Sequence, residues 1–323
     1  MNSILAGYLE NAGSIVILGH VHPDGDCFGS TLGFYRYLRE SFPEKEVRVF
    51  LEEGDPKFSY LSGWDDIQHI PDRSLKADLA VALDVSDLQR LGDFEVLFRN
   101  AAHTLNIDHH VTNPHFAEET VCLPDASSAC EVLYDLLDPD KISREAAVCL
   151  YTGLVTDSGV FKYESTSENT MRIAGALMNK GIPFGEIIDR AFYRKSPVQS
   201  RILGWALQNA VSYLDGKCLI ATITMAVKKQ FGADHRDLDG IAEQLRLTDG
   251  VVLSGLISET VTGQWKLSLR SSEEIDAARI CALYGGGGHV RAAGATINDK
   301  PSRIEERVVS ECQRQLSEAG EAC

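Results

Sequence analysis

Short apolar segments alternate with segments of helical periodicity through the first third of the chain. Four apolar segments are predicted as buried parallel strands: residues 14–19, 47–51, 78–84 and 104–108. A helix is predicted over residues 27–41, between the first two of them. Strands and helices that alternate in this way form a parallel sheet covered on both faces. Ligands of such sheets bind at the carboxyl ends of the strands, which here are His20, Asp84 and Asp108.

The pattern changes twice further along the chain. Four helices are predicted over 126–137, 143–155, 168–180 and 184–192, followed by a connecting helix over 197–209. Strands over 217–224, 251–259 and 264–270 then alternate with helices over 239–246, 275–284 and 303–317. We therefore predict an α/β protein. It has a parallel-sheet N-terminal domain (1–190), a linker helix (191–210) and a smaller α/β C-terminal domain (211–323).

Composition supports a globular chain and limits its partners. The 323 residues are 44% hydrophobic and 24% charged, which is enough to bury two cores. The 31 Lys and Arg against 47 Asp and Glu give a net charge of −16. Such a charge repels a long nucleic acid. A short anionic substrate is still allowed where metal ions or a local basic pocket offset the field.

The cysteines and the N-terminus indicate the compartment. None of the eight cysteines forms a CxxC pair, so we expect reduced thiols and no structural zinc site of the usual spacing. Residues 1–13 lack the basic region of a signal peptide, and no apolar run is long enough to span a membrane. We expect a cytoplasmic protein with no membrane partner.

A loop rich in acids and histidines follows the first predicted strand. Residues 19–30 (GHVHPDGDCFGS) place His20, His22, Asp24 and Asp26 within seven positions. Each alone could be a helix cap or turn residue. Acidic or histidine residues at three other places favour a metal site: Asp84, Asp108-His109-His110 and Asp157.

This residue set indicates the kind of metal site. Carboxylate and imidazole ligands suit Mn²⁺, Mg²⁺, Fe²⁺ or Zn²⁺. We expect no cysteine in the cluster, which favours a catalytic over a structural site. His22 and His110 could orient ligands instead of binding metal. Crowded carboxylates would otherwise repel one another and take up protons. Two divalent ions roughly 4 Å apart remove that repulsion and promote in-line phosphoryl displacement.

A glycine-rich segment, GGGGHVRAAGA at residues 285–295, follows the predicted helix 275–284. Consecutive glycines let backbone N–H groups approach an anion closely. His289 and Arg291 would add charge-assisted donors, and Arg270 and Ser271 end a nearby predicted strand. The alternative, a flexible hinge or helix C-cap, stays open.

Both motif sets together resemble a known family. The acidic and histidine positions resemble the four-motif signature of the DHH phosphoesterase superfamily: His20-x-His22-Pro-Asp24-x-Asp26, Asp84, Asp108-His109-His110 and Asp157. The glycine-rich segment resembles the signature of the DHH-associated C-terminal domain. The resemblance spans residues 14–296 and is greatest to the bifunctional oligoribonuclease and pAp phosphatase group. That group often has Asn at the position of His22, a departure that bears on metal preference.

The resemblance implies a two-ion site that holds Mn²⁺, with Mg²⁺ or Fe²⁺ as alternatives. One ion would be held by His20, Asp24, Asp84 and Asp157, and the other by Asp26, Asp84, His109 and Asp157. His110 would lie beside the scissile phosphate and act in catalysis with Asp84 and Asp157. Substrate-binding positions would be Arg90, Arg270, Ser271, Gly286, Gly287, Gly288, His289 and Arg291.

The expected activity is hydrolysis of short oligoribonucleotides, of 3′-phosphoadenosine 5′-phosphate (pAp), or of both. The alternative is a phosphodiesterase of cyclic or linear dinucleotides such as cyclic di-AMP and pApA. A processive single-strand DNA exonuclease would need a basic channel. A family II inorganic pyrophosphatase should lack the glycine-rich segment, and a non-enzymatic nucleotide sensor should lack ligands. The preferred substrate, the ion and a homodimeric assembly stay open from sequence alone.

Overall fold

Six parallel strands form the sheet of the first of two units. A computed structural model describes residues 1–321, which divide into two units between Arg194 and Lys195. The strand order is β3-β2-β1-β4-β5-β6. The strands are β1 (Ser14–Leu18), β2 (Glu46–Phe50), β3 (Ile67–Gln68), β4 (Leu79–Leu83), β5 (His103–Asp108) and β6 (Glu119–Cys122).

Helices cover both faces of this sheet. They are α1 (Ser3–Asn11), α2 (Gly25–Ser41), α3 (Glu95–Asn100), α4 (Ala129–Leu136), α5 (Arg144–Asp157), α6 (Glu168–Met178) and α7 (Phe184–Ile188). Alternate residues of β1 show the two faces: Ile15 and Ile17 lie in one apolar core, and Val16 and Leu18 lie in another. This alternation is expected of a strand that is buried on both sides.

Glycines allow helices α2 and α5 to pack close together. Gly25, Gly29 and Gly33 repeat every fourth residue of α2 and therefore lie on one face of it. A Cβ added at Gly29 would lie 2.7 Å from the backbone oxygen of Cys149, and one at Gly25 would lie 2.3 Å from Thr156 Oγ1. The absence of side chains thus allows the first residues of α2 to lie beside the last residues of α5.

The second unit contains a mixed six-stranded sheet in the order β11-β12-β10-β9-β8-β7. Its β8 and β9 are parallel and the other neighbours are antiparallel. The strands are β7 (Val211–Tyr213), β8 (Cys218–Ile223), β9 (Leu253–Glu259), β10 (Trp265–Ser271), β11 (Gly287–His289) and β12 (Ala292–Ile297). The helices are α8 (Pro197–Asn209), α9 (Met225–Phe231), α10 (Ile241–Arg246), α11 (Ala277–Ala282) and α12 (Pro301–Glu321).

The predicted fold class is confirmed: a parallel sheet with helices on both faces is followed by a second α/β unit. Helix α8 packs Ile202 and Ala206 against Ala221 and Ile223 of β8, so it shares the core of the second unit. The predicted domain bounds stay a prediction. Within residues 1–321, no helix combines the length and the apolar character needed to cross a membrane.

Candidate metal centre and active site

The candidate residues lie where strands end and where α2 and α5 meet. His20 follows β1, Asp84 follows β4 and His109 follows β5. Strands β1 and β4 are neighbours at the point where the strand order reverses, which is the usual ligand position of such sheets. Asp26 lies in the first turn of α2 and Asp157 is the last residue of α5.

Short distances connect all six predicted metal ligands. His20 Nε2 lies 3.3 Å from Asp84 Oδ2 and 3.7 Å from Asp24 Oδ1. His109 Nε2 lies 3.6 Å from the other Asp84 oxygen, Oδ1. The same nitrogen lies 3.3 Å from Asp157 Oδ2 and 3.9 Å from Asp26 Oδ2. The six residues predicted from the sequence therefore lie in one cluster, with Asp84 at its centre.

Asp84 shows that the cluster fits a cation. Its side chain is 3% exposed, and its buried Oδ1 has no hydrogen-bond partner. A buried carboxylate oxygen without a partner is unfavourable, and buried polar groups are normally satisfied. Divalent ions bound among these carboxylate and imidazole groups would satisfy it. The donor set therefore fits the ions that the sequence implies.

Backbone carbonyls fix the orientation of two imidazoles. His20 Nδ1 lies 2.8 Å from the Val21 oxygen, and His109 Nδ1 lies 3.3 Å from the Ala126 oxygen. A carbonyl oxygen only accepts, so in the neutral form of His109 the proton belongs on Nδ1 and the lone pair on Nε2 faces the carboxylates. A hydrogen bond at the ring nitrogen that does not face the metal is typical of metal-binding histidines.

The ionisable groups strongly affect one another. Burial raises the pKa of Asp157 to about 7, and the neighbouring charges of Asp84 and Asp24 add to that rise while His109 opposes it. Burial also raises the pKa of Asp26 well above its usual range, aided by Asp84 and Asp157. For His109, burial works to lower the pKa, but the surrounding carboxylates outweigh it and raise it to about 10. Like-charge crowding of this kind is relieved by a bound cation.

Helix α4 positions Asp26. The Asp26 carboxylate accepts hydrogen bonds from the backbone N–H groups of Ala129 (2.6 Å) and Cys130 (3.1 Å), at the start of α4. The N-terminal end of a helix stabilises a negative charge. A Cβ at Gly153 would lie 2.6 Å from Asp26 Oδ1, so this glycine of α5 also leaves the space that Asp26 fills.

His110 has a separate partner. Its Nδ1 donates to Asp108 Oδ1 over 2.8 Å, and Asp108 also accepts from Asn113 Nδ2 over 2.6 Å. Asp108 is fully buried, whereas His110 is half-buried. The sequence predicted Asp108 as part of a metal-site motif but not as a partner of His110, and it gave no signal for Asn113.

Cys27 is a correction to the sequence prediction. We expected the cluster to lack cysteine, but ligand atoms of His20, Cys27 and Asp84 lie within 4.8 Å of one another and all three residues are buried. The expectation was wrong because the start of α2 turns its third residue toward His20.

His22 and Arg90 support the His20 loop. His22 is 91% exposed, has a φ of +56° and donates its backbone N–H to Glu52 Oε2. Asn tolerates that left-handed conformation as His does, which accounts for an exchange of the two. Arg90 accepts the Val21 N–H through its backbone oxygen, and its Nη2 lies 3.0 Å from His20 Nδ1.

In the second unit, the predicted substrate residues surround β11 and β12. Arg270 Nη1 donates to the Leu269 oxygen, and the buried Ser271 hydroxyl donates to the Val290 oxygen. Arg291 Nη2 donates to Glu273, and His289 is exposed. Their role in substrate binding stays a prediction.

The glycine-rich segment forms strand β11, whose pairing with β12 needs glycine. A Cβ at Gly286 would lie 2.3 Å from the Gly294 oxygen, and one at Gly288 would lie 2.5 Å from the Ala292 oxygen. Gly287, between them, has open space where a Cβ would be.

Comparison with known families agrees with this arrangement. The model of the DHH family, N-terminal domain, matches residues 14–154, and that of the DHHA1 domain matches residues 215–318. The chain belongs to the DHH family, as its motifs predicted.

Individual relatives cover nearly the whole chain. A bifunctional oligoribonuclease and PAP phosphatase NrnA of Thermus thermophilus is 30% identical over 312 residues, 95% of this chain and 92% of that protein. The cyclic-di-AMP phosphodiesterase GdpP of Geobacillus thermodenitrificans is 26% identical, over 96% of this chain and 48% of its own length. An exopolyphosphatase-related protein from Bacteroides fragilis has a crystal structure with a TM-score of 0.87 and 27% identity, covering 97% of this chain and 96% of that one.

Proposed function

We propose that the chain is a divalent-metal phosphoesterase that hydrolyses short oligoribonucleotides and pAp, with two Mn²⁺ ions as the preferred cofactor. The observation that carries the proposal is the central position of Asp84, whose Oδ2 lies 3.3 Å from His20 Nε2 and whose unpartnered Oδ1 lies 3.6 Å from His109 Nε2. The similarity to the Thermus thermophilus protein supports the choice of substrate.

We assign the cluster two ion positions that share Asp84, and the distances support this assignment. His20 and Asp24 lie on one side of Asp84, and Asp26 and His109 lie on the other. Asp157 would complete both sets. Bound divalent ions supply Lewis acidity toward a phosphoryl group.

The chain's own contribution to proton transfer is His110. Asp108 holds its Nδ1–H and so leaves Nε2 to exchange a proton with the substrate. We propose that His110 protonates the leaving oxygen. Arg90, Arg270, His289, Arg291 and the glycines of β11 would contact the anionic substrate through charged or backbone donors.

Replacement of Asp84 by Asn tests the proposal. Asn tolerates the left-handed backbone of this position, where φ is +59°, so the change removes charge and leaves the turn in place. We expect kcat/KM with Mn²⁺ to fall at least about 100-fold, because the shared ligand is lost. The control is Asp140→Asn, which changes an exposed carboxylate outside the cluster. Activity above a few per cent in the Asp84 variant would contradict the assignment.

A substrate panel tests the specificity. It contains pAp, an RNA ladder from dimer to pentamer, cyclic di-AMP, pApA and pyrophosphate, each compared by kcat/KM. Preference for pyrophosphate would overturn the proposal. Preference for cyclic di-AMP or pApA would favour the second candidate function, a dinucleotide phosphodiesterase, which the similarity to the Geobacillus protein supports.

We also propose a cytoplasmic location. Seven cysteines within the described residues are free thiols, whereas Cys323 lies outside those residues. A reducing compartment keeps thiols in this state.

A further inference from the structure

Cys27 lies on the buried side of the first ion position. Its thiol is 0% exposed at the third residue of α2. A Cβ added at Gly19 would lie 2.4 Å from Cys27 Sγ, so the sulfur packs directly against the backbone that precedes His20. The thiol is therefore held beside the imidazole by the fold.

Asp24, the predicted third ligand at this position, lies on the solvent side. It is 61% exposed, and its Oδ1 already accepts the backbone N–H groups of Asp26 (3.0 Å) and Cys27 (3.1 Å) as the N-cap of α2. An ion at His20 and Asp84 thus has a carboxylate on the open side and a thiol on the buried side. Carboxylates suit Mn²⁺ and Mg²⁺, whereas thiolates select Zn²⁺ and other soft ions.

The oxygen that Asp84 presents to this position is Oδ2, 3.3 Å from His20 Nε2, whereas its unpartnered Oδ1 faces His109. The distances also suit a small ion. Zinc bonds of about 2.0–2.3 Å place tetrahedral ligand atoms roughly 3.5 Å apart. The atoms of His20, Cys27 and Asp84 lie within 4.8 Å of one another, so contraction by roughly 1 Å would close the site.

We propose that Zn²⁺, or another thiophilic divalent ion, binds through His20, Cys27 and Asp84 in place of the Mn²⁺ that uses Asp24. As the metal–sulfur bond forms, the thiol proton passes to solvent. This inference rests on the proposed function only in sharing the first cation position. Its consequence is a site whose third ligand depends on the ion that occupies it.

Cobalt provides the test, because a Co²⁺–thiolate bond has a charge-transfer absorption in the near ultraviolet that oxygen and nitrogen ligands do not produce. Co²⁺ is added to the metal-free full-length protein, to Cys27→Ser and to Cys149→Ser. Cys149 is the matched control: it is a buried helical cysteine whose Sγ contacts the Ser62 oxygen, and within residues 1–321 it belongs to none of the residue groups that could hold a metal ion.

We expect the absorption in the wild type and in the Cys149 variant, and its loss in the Cys27 variant. The dissociation constant for Zn²⁺ should increase at least about tenfold in Cys27→Ser, and by much less for Mn²⁺. Cys27→Ala is the second variant, and circular dichroism verifies that each protein is folded. Absorption that persists in both folded Cys27 variants, or that is absent from the wild type, would overturn the inference.

Hydrolysis of pAp by the wild type with Mn²⁺ distinguishes this inference from the proposed function. The cobalt–thiolate absorption without any hydrolysis would support the thiol site and contradict the function. Hydrolysis without the absorption would support the proposed function and contradict the thiol site.

Discussion

At the scale of single residues, Asp108 and His110 form a pair next to the metal cluster. The buried Asp108 accepts from both His110 and Asn113, so its position is fixed on two sides. A carboxylate held in this way determines which imidazole nitrogen carries the proton. We therefore propose that Asp108 is a positioning residue that acts through His110.

Replacing Asp108 by Asn should lower kcat by about 10- to 100-fold and leave KM nearly unchanged, because only proton transfer is affected. The variants Asp108→Asn, His110→Ala and the double variant are compared by steady-state kinetics. We expect the double variant to be no slower than His110→Ala, since the two residues act as one unit. If the fold decreases in kcat of the two single variants multiply in the double variant, Asp108 acts independently of His110.

At the scale of elements, Glu131 connects the start of α4 with α6. Its buried carboxylate accepts from the backbone and hydroxyl of Ser127, from Thr170 and from Asn169. Burial alone would raise the pKa of Glu131, but these hydrogen bonds outweigh it and hold the pKa below its ordinary value of 4.5. Because α4 also positions Asp26, this connection helps to hold the candidate metal ligands in place.

Replacing Glu131 by Gln should destabilise the protein by about 1–2 kcal/mol at neutral pH, since charge-assisted hydrogen bonds are lost. A depressed folded-state pKa gives stability that is fully present above 4.5 and is lost as pH falls through the lower folded value. The difference in urea midpoint between variant and wild type should therefore shrink below pH 4.5. Glu145→Gln, at an exposed helix position, is the control. A pH-independent difference would contradict this account.

The contact between α2 and α5 gives a second prediction at this scale. Gly29→Ala places a methyl group 2.7 Å from backbone atoms of Cys149 and Gly153. We therefore expect the free energy of unfolding to fall by about 1–3 kcal/mol, and Mn²⁺ to bind more weakly as the helices separate. Gly175→Ala is the matched control on α6, where nothing lies within 4 Å. That change should stabilise the folded protein by about 0.5–1 kcal/mol. Thermal unfolding and Mn²⁺ titration measure both effects, and equal outcomes would exclude close packing as the cause.

Sequence periodicity predicted the strands that position the site to within a few residues. It missed β3 and β6 because β3 has only two residues and β6 is a half-buried edge strand. It placed the start of α2 at Cys27 instead of Gly25, since Asp24 was interpreted as a ligand and not also as the helix cap. The contact of Cys27 with His20 could not be predicted, because it depends on how closely α2 approaches β1.

At the scale of the whole molecule, the net charge of −16 leads us to expect short substrates. Cations bound at the cluster would offset repulsion locally, but the further phosphates of a longer strand would be repelled by the remaining negative charge. Most of this charge belongs to the first unit, because residues 195–323 contain only 15 Lys and Arg against 16 Asp and Glu.

We therefore expect kcat/KM to fall at least about tenfold from an RNA dimer to a decamer, and to fall less in about 0.5 M than in about 0.05 M salt, because salt screens the repulsion. Initial rates across the ladder at both ionic strengths measure this. A decline that salt leaves unchanged would point to a steric limit, and faster hydrolysis of long strands would contradict the expectation.

The left-handed backbone at Asp84 and His22 has an evolutionary consequence. Few side chains tolerate this conformation: Gly readily, and Asn, Asp and His less so. At Asp84 the proposed chemistry also demands a carboxylate, and Glu, which has one, is poorly suited to the turn. The backbone conformation and the need for a carboxylate together leave Asp as the one suitable residue at position 84, whereas several residues suit position 22. A homologue that replaces Asp84 would be expected to have abandoned the reaction, while one that replaces His22 would not.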